Sequence, residues 1–106
     1  MSEAASSEGN PSANRDGAIV RIMPITNQKG LHARASAKFV QTVEKFDAIV
    51  RVTRGNETVG GTSIMGLMML AAAPGTTITV EATGVQALDV INALEKLLSS
   101  RFGEDD

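Results

Sequence analysis

Four short segments rich in β-branched residues alternate with three segments of helical periodicity, giving the order β-α-β-β-α-β-α along the chain. Strands and helices mixed in this way in a short chain predict an α+β fold in which the helices cover one face of a sheet. Pro24 lies inside the first strand-like segment, where a proline favours an edge strand or a bulge. The strands are predicted at residues 19–26, 48–53, 57–60 and 76–83, and the helices at residues 33–46, at 63–70 and from Gly84 to Ser100.

Two of the predicted helices carry an apolar stripe, which we expect to pack against the sheet. The stripe of the first helix is predicted to contain Ala33, Ala37, Val40 and Val43, with Phe39 and Phe46 widening it. The stripe of the last helix is predicted to contain Leu88, Ile91, Leu94 and Leu98.

The composition excludes several classes of protein. A chain of 106 residues fits one domain. It contains no cysteine, which excludes disulfides and thiolate chemistry and fits a reducing compartment. A net charge of −2 and the absence of Tyr and Trp argue against a nucleic-acid surface. No apolar stretch matches a bilayer in length and the N-terminus lacks the features of a secretory signal, so we expect a cytoplasmic protein without membrane insertion.

The two ends differ in composition from the part between them. Residues 1–17 contain one Met, a few Ala and a Pro but no larger apolar side chain. Burial cannot offset the entropy of ordering such a segment, so a disordered tail is predicted there. Residues 103–106 are predicted to be an acidic, frayed end, which leaves residues 18–102 as the folded domain.

His32 is the only histidine and directly precedes the first predicted helix. A helix N-terminus presents unpaired backbone N–H groups and the positive end of the helix dipole, which favour an anion. Arg34 lies in the first turn, where the dipole disfavours a cation, so a compensating anion is indicated. A phosphoryl group on the His32 imidazole would be that anion, paired with the Arg34 guanidinium. The alternative is a capping histidine beside an arginine that only reaches solvent.

The sequence around His32 favours a carrier over an enzyme that turns over a substrate. An imidazole nitrogen is nucleophilic near neutral pH without help from a metal. No second histidine, cysteine or carboxylate pair lies near His32 in the sequence to activate water. We therefore expect no metal and no cofactor, and a phosphohistidine that persists until a partner removes the phosphoryl group.

Residues 63–70 form a second candidate region, because their apolar residues occupy two helical faces where a short amphipathic helix needs one. Either both faces are buried, or one is an exposed, methionine-rich patch that adapts to partners. Ser63 is the predicted N-cap. Because negative charge is favourable at that position, Ser63 is also a candidate regulatory phosphorylation site. One face holds Ile64, Leu67 and Met68, and the other holds Met65 and Met69.

Two motifs resemble those of the HPr family, the histidine-containing phosphocarriers of the bacterial phosphotransferase system. Residues 30–36 (Gly-Leu-His-Ala-Arg-Ala-Ser) look like the active-site signature of the family. Residues 63–68 (Ser-Ile-Met-Gly-Leu-Met) look like its second motif, and the stretch 76–84 and the closing helix also match. The resemblance spans residues 19–102, with both motifs in order and at the right separation.

The resemblance implies an open-faced β-sandwich with a four-stranded antiparallel sheet and three helices on one face, in a monomeric phosphocarrier domain. It implies that enzyme I, charged from phosphoenolpyruvate, phosphorylates His32, and that an enzyme IIA domain then receives the phosphoryl group. Arg34 matches the arginine that steadies the phosphate in the family. The protein is then a substrate of phosphotransferase enzymes and not an enzyme itself.

The second motif implies regulation and docking. Ser63 matches the serine that a bifunctional HPr kinase/phosphorylase modifies in some lineages, and Ile64, Met65 and Met68 fall where the family docks its partners. Another class of function stays open at this point. A regulatory binding module would dock partners through the Ser63–Met69 helix without needing phosphate on His32.

The sequence departs from the family pattern at two places. Ala35 stands where the family usually has a proline, which presets the first turn of a helix. Thr62 stands where a basic residue often precedes the serine, which weakens the case for kinase recognition of Ser63. Residues 46–48 and 80–84 and the acidic C-terminus resemble the nitrogen-related branch of the family, NPr, and imply nitrogen or carbon regulation over sugar uptake.

Overall fold

The four segments rich in β-branched residues form one sheet. In the computed structural model, which describes residues 17–104, all neighbouring strands pair antiparallel. When the strands are numbered β1 to β4 along the chain, they lie in the order β1-β4-β2-β3 across the sheet. The disordered tail predicted for residues 1–17 lies outside the described residues except for Gly17. The strands are β1 (Ile19–Pro24), β2 (Ile49–Arg54), β3 (Glu57–Gly60) and β4 (Thr77–Thr83).

Three helices cover one face of the sheet, which confirms the predicted α+β open-faced sandwich. They are α1 (Ala33–Val43), α2 (Ile64–Met69) and α3 (Ala87–Ser99). α3 packs against β1 and β4, and α1 packs against both other helices. Between residues 17 and 104, no helix combines the length and apolar character needed to cross a membrane.

Alternation along the central strands separates a buried face of the sheet from an open one. Ile22 and Ile49 lie on the open face, where they are 65% and 70% exposed. Met23 and Val50, which follow them in the sequence, are buried in the core beneath the helices. The core-facing residues of the two central strands are Val50 and Val52 in β2, and Ile78, Val80 and Ala82 in β4.

Most residues of the predicted stripes are buried, but Ala33 and Ala37 of α1 and Leu88 of α3 are not fully buried. In α1, Ala33 is exposed and Ala37 only half-buried, because the large Phe39 side chain fixes which face turns inward. In α3, Leu88 is 51% exposed and Val90 takes the core position. The buried residues of α1 are Ala35, Ser36, Phe39, Val40 and Val43, and those of α3 are Ala87, Val90, Ile91, Leu94 and Leu98.

α1 ends at Val43, three residues before the predicted end. Beyond it the hydrogen bonds tighten: the Lys45 N–H donates to the Thr42 carbonyl at 3.2 Å, and the Phe46 N–H donates to the Val43 carbonyl at 3.1 Å. Such i to i−3 bonds commonly close a helix and let the chain turn away. Here the chain must reverse into β2, so Phe46 leaves the helix and packs at the edge of the core.

One edge strand of the sheet ends in a proline and the other is short. β1 pairs only with β4, so it is an edge strand, and Pro24 is its last residue. The edge position predicted for this proline is therefore confirmed. β3, at the opposite edge, has four residues.

Residues 101–104, called here the 101–104 hook, return the chain towards the start of α1. Arg101, Phe102 and Gly103 all have positive φ, at 58°, 56° and 72°. Phe102 is 1% exposed, and its carbonyl accepts a hydrogen bond from Lys38 Nζ at 2.6 Å. We expected residues 103–106 to fray, but Gly103 and Glu104 belong to a packed, hydrogen-bonded turn, while residues 105–106 lie outside the described residues.

Candidate functional site

His32 is the N-cap residue of α1. Its backbone is extended, and its side-chain Nδ1 accepts a hydrogen bond from the Arg34 N–H at 3.3 Å. Its carbonyl accepts from the Ser36 N–H at 2.8 Å, the first regular bond of the helix. The imidazole therefore takes the role that a Ser or Asp oxygen usually takes at this position. As a result, the Nδ1 lone pair points into the N-terminus of α1.

The loop before His32 is held in place by a close backbone approach. The Leu31 N–H donates to the Ala72 carbonyl at 3.0 Å. Gly30 has a φ of +65°, and a Cβ at this position would lie 2.2 Å from the Ala72 oxygen. Only glycine meets both requirements. The Gly-Leu-His run of the first motif thus packs its backbone against Ala72, in the segment that follows α2, and this fixes the backbone that carries the imidazole.

The second ring nitrogen of His32 contacts a carboxylate. Nε2 lies 2.6 Å from Glu104 Oε2, and the two side chains are 26% and 10% exposed. A carboxylate can only accept, so Nε2 is the donor in this contact. Since Nδ1 accepts from the Arg34 N–H, both contacts indicate the same neutral tautomer, with the proton on Nε2.

Asn27 connects this carboxylate to the loop. Its side chain is fully buried, and its Nδ2 donates to the Gly30 carbonyl at 2.8 Å and to Glu104 Oε1 at 3.1 Å. Each oxygen of Glu104 therefore has its own donor. Asn27 Oδ1 is buried without a hydrogen-bond partner among the described residues.

Arg34 carries a positive charge in the first turn of α1, which His32 caps. Its side chain is exposed, and the guanidinium makes no hydrogen bond or ion pair with any residue between 17 and 104. The first turn of α1 contains no acidic residue. The amide groups of the helix N-terminus and the guanidinium are thus both available to an anion attached to Nδ1.

α2 presents an apolar surface to solvent. Leu67 is its buried residue and anchors it to the core, while the Ser63 hydroxyl caps it by accepting from the Gly66 N–H at 2.9 Å. The alternative in which both faces of this helix are buried is therefore wrong. Four side chains form what we call the α2 patch: Ile64, Met65, Met68 and Met69, which are 40%, 70%, 39% and 72% exposed.

The structure places His32 and Arg34 together at the start of α1, as the sequence predicted, and adds two residues that the sequence did not reveal. The sequence has no carboxylate pair near His32, but in the folded chain one carboxylate, that of Glu104, contacts the ring from 72 positions away. Asn27 was not among the predicted site residues. Its place directly after a strand and before the Gly-Leu-His run was the one available signal, whereas nothing in the sequence indicated Glu104.

Comparison with known proteins agrees with this geometry. The model of the family described as "PTS HPr component phosphorylation site" matches residues 19–100. The phosphocarrier protein HPr of Neisseria meningitidis serogroup A is 50% identical over 88 residues, which are 83% of this chain and 99% of that protein. HPr of Cupriavidus necator is 45% identical over 88 residues, with the same two shares.

A solved structure of an HPr protein has the same fold as this chain. The crystal structure of HPr from Thermoanaerobacter tengcongensis superimposes with a TM-score of 0.78 at 39% identity, covering 82% of this chain and 98% of that one. The family predicted from the two motifs is thereby confirmed, as is the expectation of a carrier and not an enzyme. The chain belongs to the HPr family, the phosphocarrier proteins of the phosphotransferase system.

Proposed function

We propose that Nδ1 of His32 accepts a phosphoryl group from enzyme I, which is charged from phosphoenolpyruvate, and passes it to an enzyme IIA domain. The observation that supports this most directly is the orientation of the ring. Nδ1 is the unprotonated nitrogen and faces the N-terminus of α1, while Nε2 is occupied by Glu104.

The transfer needs no proton movement at the ring. The Nδ1 lone pair forms a bond to phosphorus, and the bond between phosphorus and the donor breaks, with its electron pair staying on the donor. The product keeps the proton on Nε2, so the reverse sequence hands the phosphoryl group to the acceptor. Because neither direction requires a general base, one site serves both transfers.

Two groups stabilise the phosphoryl charge. The Arg34 N–H, which donates to Nδ1 in the unphosphorylated ring, becomes available to a phosphoryl oxygen once Nδ1 is bonded to phosphorus. The Arg34 guanidinium, which has no partner between residues 17 and 104, pairs with the remaining oxygens. Both groups act only when the anion is present, which suits a site that is loaded and unloaded repeatedly.

A hydrolase on this scaffold is disfavoured. Glu104 is the carboxylate that contacts His32, but its oxygens accept from Asn27 Nδ2 and from His32 Nε2, on the side of the ring away from Nδ1. It is therefore not in place to activate water for attack at phosphorus. The phosphohistidine persists until a partner docks.

The α2 patch is the proposed docking surface for enzyme I and enzyme IIA. Ile64, Met65 and Met68 are exposed, and α2 packs against α1, whose N-cap is His32. Methionine side chains adapt to differently shaped partners, which a carrier with at least two partners requires. Ser63 is exposed at the edge of the patch, so its phosphorylation by an HPr kinase/phosphorylase would add negative charge where partners bind.

The patch also supports a second candidate function, a regulatory binding module that docks partners without phosphate on His32. The likeness of residues 46–48 and 80–84 to the nitrogen-related branch favours nitrogen or carbon regulation as the output over sugar uptake. A monomeric state and a cytoplasmic location stay predictions from the sequence.

Phosphorylation of the purified chain by enzyme I and phosphoenolpyruvate tests the proposal, with the intact mass as readout. We expect one added phosphoryl group that is lost in acid. The matched control is His32→Asn, because asparagine retains the capping role but offers no nucleophilic nitrogen. No added mass on the wild type, with a known carrier labelled in parallel, would favour the binding module; equal labelling of His32→Asn would exclude His32 as the acceptor.

A further inference from the structure

We propose that Glu104 is a positioning residue that keeps the proton of His32 on Nε2, and thereby keeps Nδ1 free as the nucleophile. The inference rests on the proposed function for the role of Nδ1. The location of the proton, however, can be measured without any phosphoryl transfer. The two claims can therefore fail separately.

The hydrogen bonds around Glu104 require a group with two acceptors and no donor. Oε1 accepts from Asn27 Nδ2 at 3.1 Å, and Oε2 accepts from His32 Nε2 at 2.6 Å. Asn27 Nδ2 is itself fixed by the Gly30 carbonyl, so it cannot turn away without losing that bond. An ionised carboxylate is the side-chain group that satisfies both donors at once.

An amide at the same position would favour the opposite tautomer. If the carbonyl of a glutamine at position 104 faced Asn27, its NH2 group would face His32 Nε2 and would bind that nitrogen only when it is unprotonated. The proton would then move to Nδ1, which could neither attack phosphorus nor accept from the Arg34 N–H. In serine proteases, replacing the aspartate that accepts from the catalytic histidine with asparagine likewise shifts that histidine to the wrong tautomer.

Burial strengthens the hydrogen bond between Glu104 and His32. The Glu104 side chain is 10% exposed and that of Asn27 is not exposed at all. Hydrogen bonds to an ionised group are stronger than neutral ones, and a low local dielectric strengthens them further. The contact between Glu104 and His32 is therefore unlike an exposed ion pair, which solvent screens.

The 101–104 hook holds the carboxylate in position. Arg101 and Phe102 adopt left-handed conformations, which are unfavourable for side chains with a Cβ. Such conformations persist where the surroundings enforce them. Here Phe102 is buried in the core and its carbonyl accepts a hydrogen bond from Lys38 Nζ. The packed turn therefore places Glu104 next to His32.

The experiment is ¹⁵N NMR of the imidazole nitrogens in the unphosphorylated chain, at a pH where the spectra show a neutral ring. The variants are Glu104→Gln and Glu104→Ala. The matched control is Glu95→Gln, because Glu95 also forms an ion pair, 2.7 Å from Arg21, but does so on α3. We expect the fraction protonated on Nδ1 to rise several-fold in Glu104→Gln, less in Glu104→Ala, and not at all in the control.

An unchanged tautomer ratio in both Glu104 variants, with folded amide spectra, would overturn the proposal. The rate of phosphoryl acceptance from enzyme I is the second measurement. We expect a loss of about tenfold in Glu104→Gln, as is usual when the residue that orients a functional histidine is changed, and no loss in Glu95→Gln. A shifted tautomer with an unchanged rate would overturn the link to transfer, whereas failure of the wild type to accept phosphate would count only against the proposed function.

Discussion

The His32 site and the α2 patch differ in how firmly their side chains are held. At the site, Glu104 is joined to His32 and to Asn27 by hydrogen bonds of 2.6 and 3.1 Å, and Asn27 is fully buried. At the patch, Met65 and Met69 are 70% and 72% exposed, and a flexible side chain of this kind has many rotamers. The two regions lie on helices that pack against each other.

The difference separates two tasks that one small surface must perform. Phosphoryl transfer depends on placing one nitrogen and one positive region with high precision, which favours a rigid polar network. Recognition of several proteins depends on fitting unlike surfaces, which favours flexible apolar side chains. Substitutions at the site should therefore change rates or stability, and substitutions at the patch should change apparent affinity.

The largest effect is expected from Gly30→Ala. The new methyl group would overlap the Ala72 carbonyl oxygen and the positive φ would be strained, so the free energy of unfolding should fall by about 3 kcal/mol. Urea denaturation measures this. Gly55→Ala is the matched control, because Gly55 has a φ of +63° but open space around it, and should cost about 1 kcal/mol. Equal losses would mean that the loop moves to admit a methyl group.

Arg34→Ala comes next. Loss of the guanidinium removes a charge-assisted contact to the phosphoryl group, so the rate of phosphoryl acceptance should fall by about 30-fold, or about 2 kcal/mol, without a change in stability. Rapid-quench kinetics with phosphorylated enzyme I measures the rate. Arg51→Ala, at an exposed position of β2, is the control and should transfer normally. An unchanged rate in Arg34→Ala would contradict the charge pairing.

The smallest effect is expected at the patch. Met65→Ala should raise the KM for enzyme I about fivefold, close to 1 kcal/mol of docking free energy, and leave kcat unchanged. Leu88→Ala removes an exposed leucine from α3 and should change neither constant. A lower kcat in Met65→Ala would show that the patch also positions the reacting groups, and would remove the separation between the two regions.

The sequence predicted the element order and the position of His32 and Arg34 at the start of α1, because these depend on local signals. β-Branched runs, a proline, a capping serine and the two motifs each act over a few residues. The sequence did not show which alanines of α1 are buried, because alanine is tolerated on either face of a helix. The packing of Phe39 in the core decides which face is buried. Leu88 was misplaced for a related reason, since an apolar side chain on a helix need not be buried.

Glu104 and Asn27 could not be recognised from the sequence. The contact between His32 and Glu104 spans 72 positions and depends on the left-handed turn of Arg101 and Phe102. Nothing in a single sequence indicates that two bulky residues adopt this conformation, because it is enforced by packing around Phe102. An acidic end then looks like an ordinary solvated terminus, although one of its carboxylates contacts the histidine.

The edge strands of the sheet affect whether the protein aggregates at high concentration. An unpaired strand edge can recruit strands from other molecules, and an exposed apolar surface such as the α2 patch adds to that risk. β1 ends in a proline without an N–H to donate, and β3 offers four residues. Neither edge is a long, regular template for intermolecular pairing. Met65, Met68 and Met69 are thus exposed in a molecule whose sheet edges disfavour growth into fibrils.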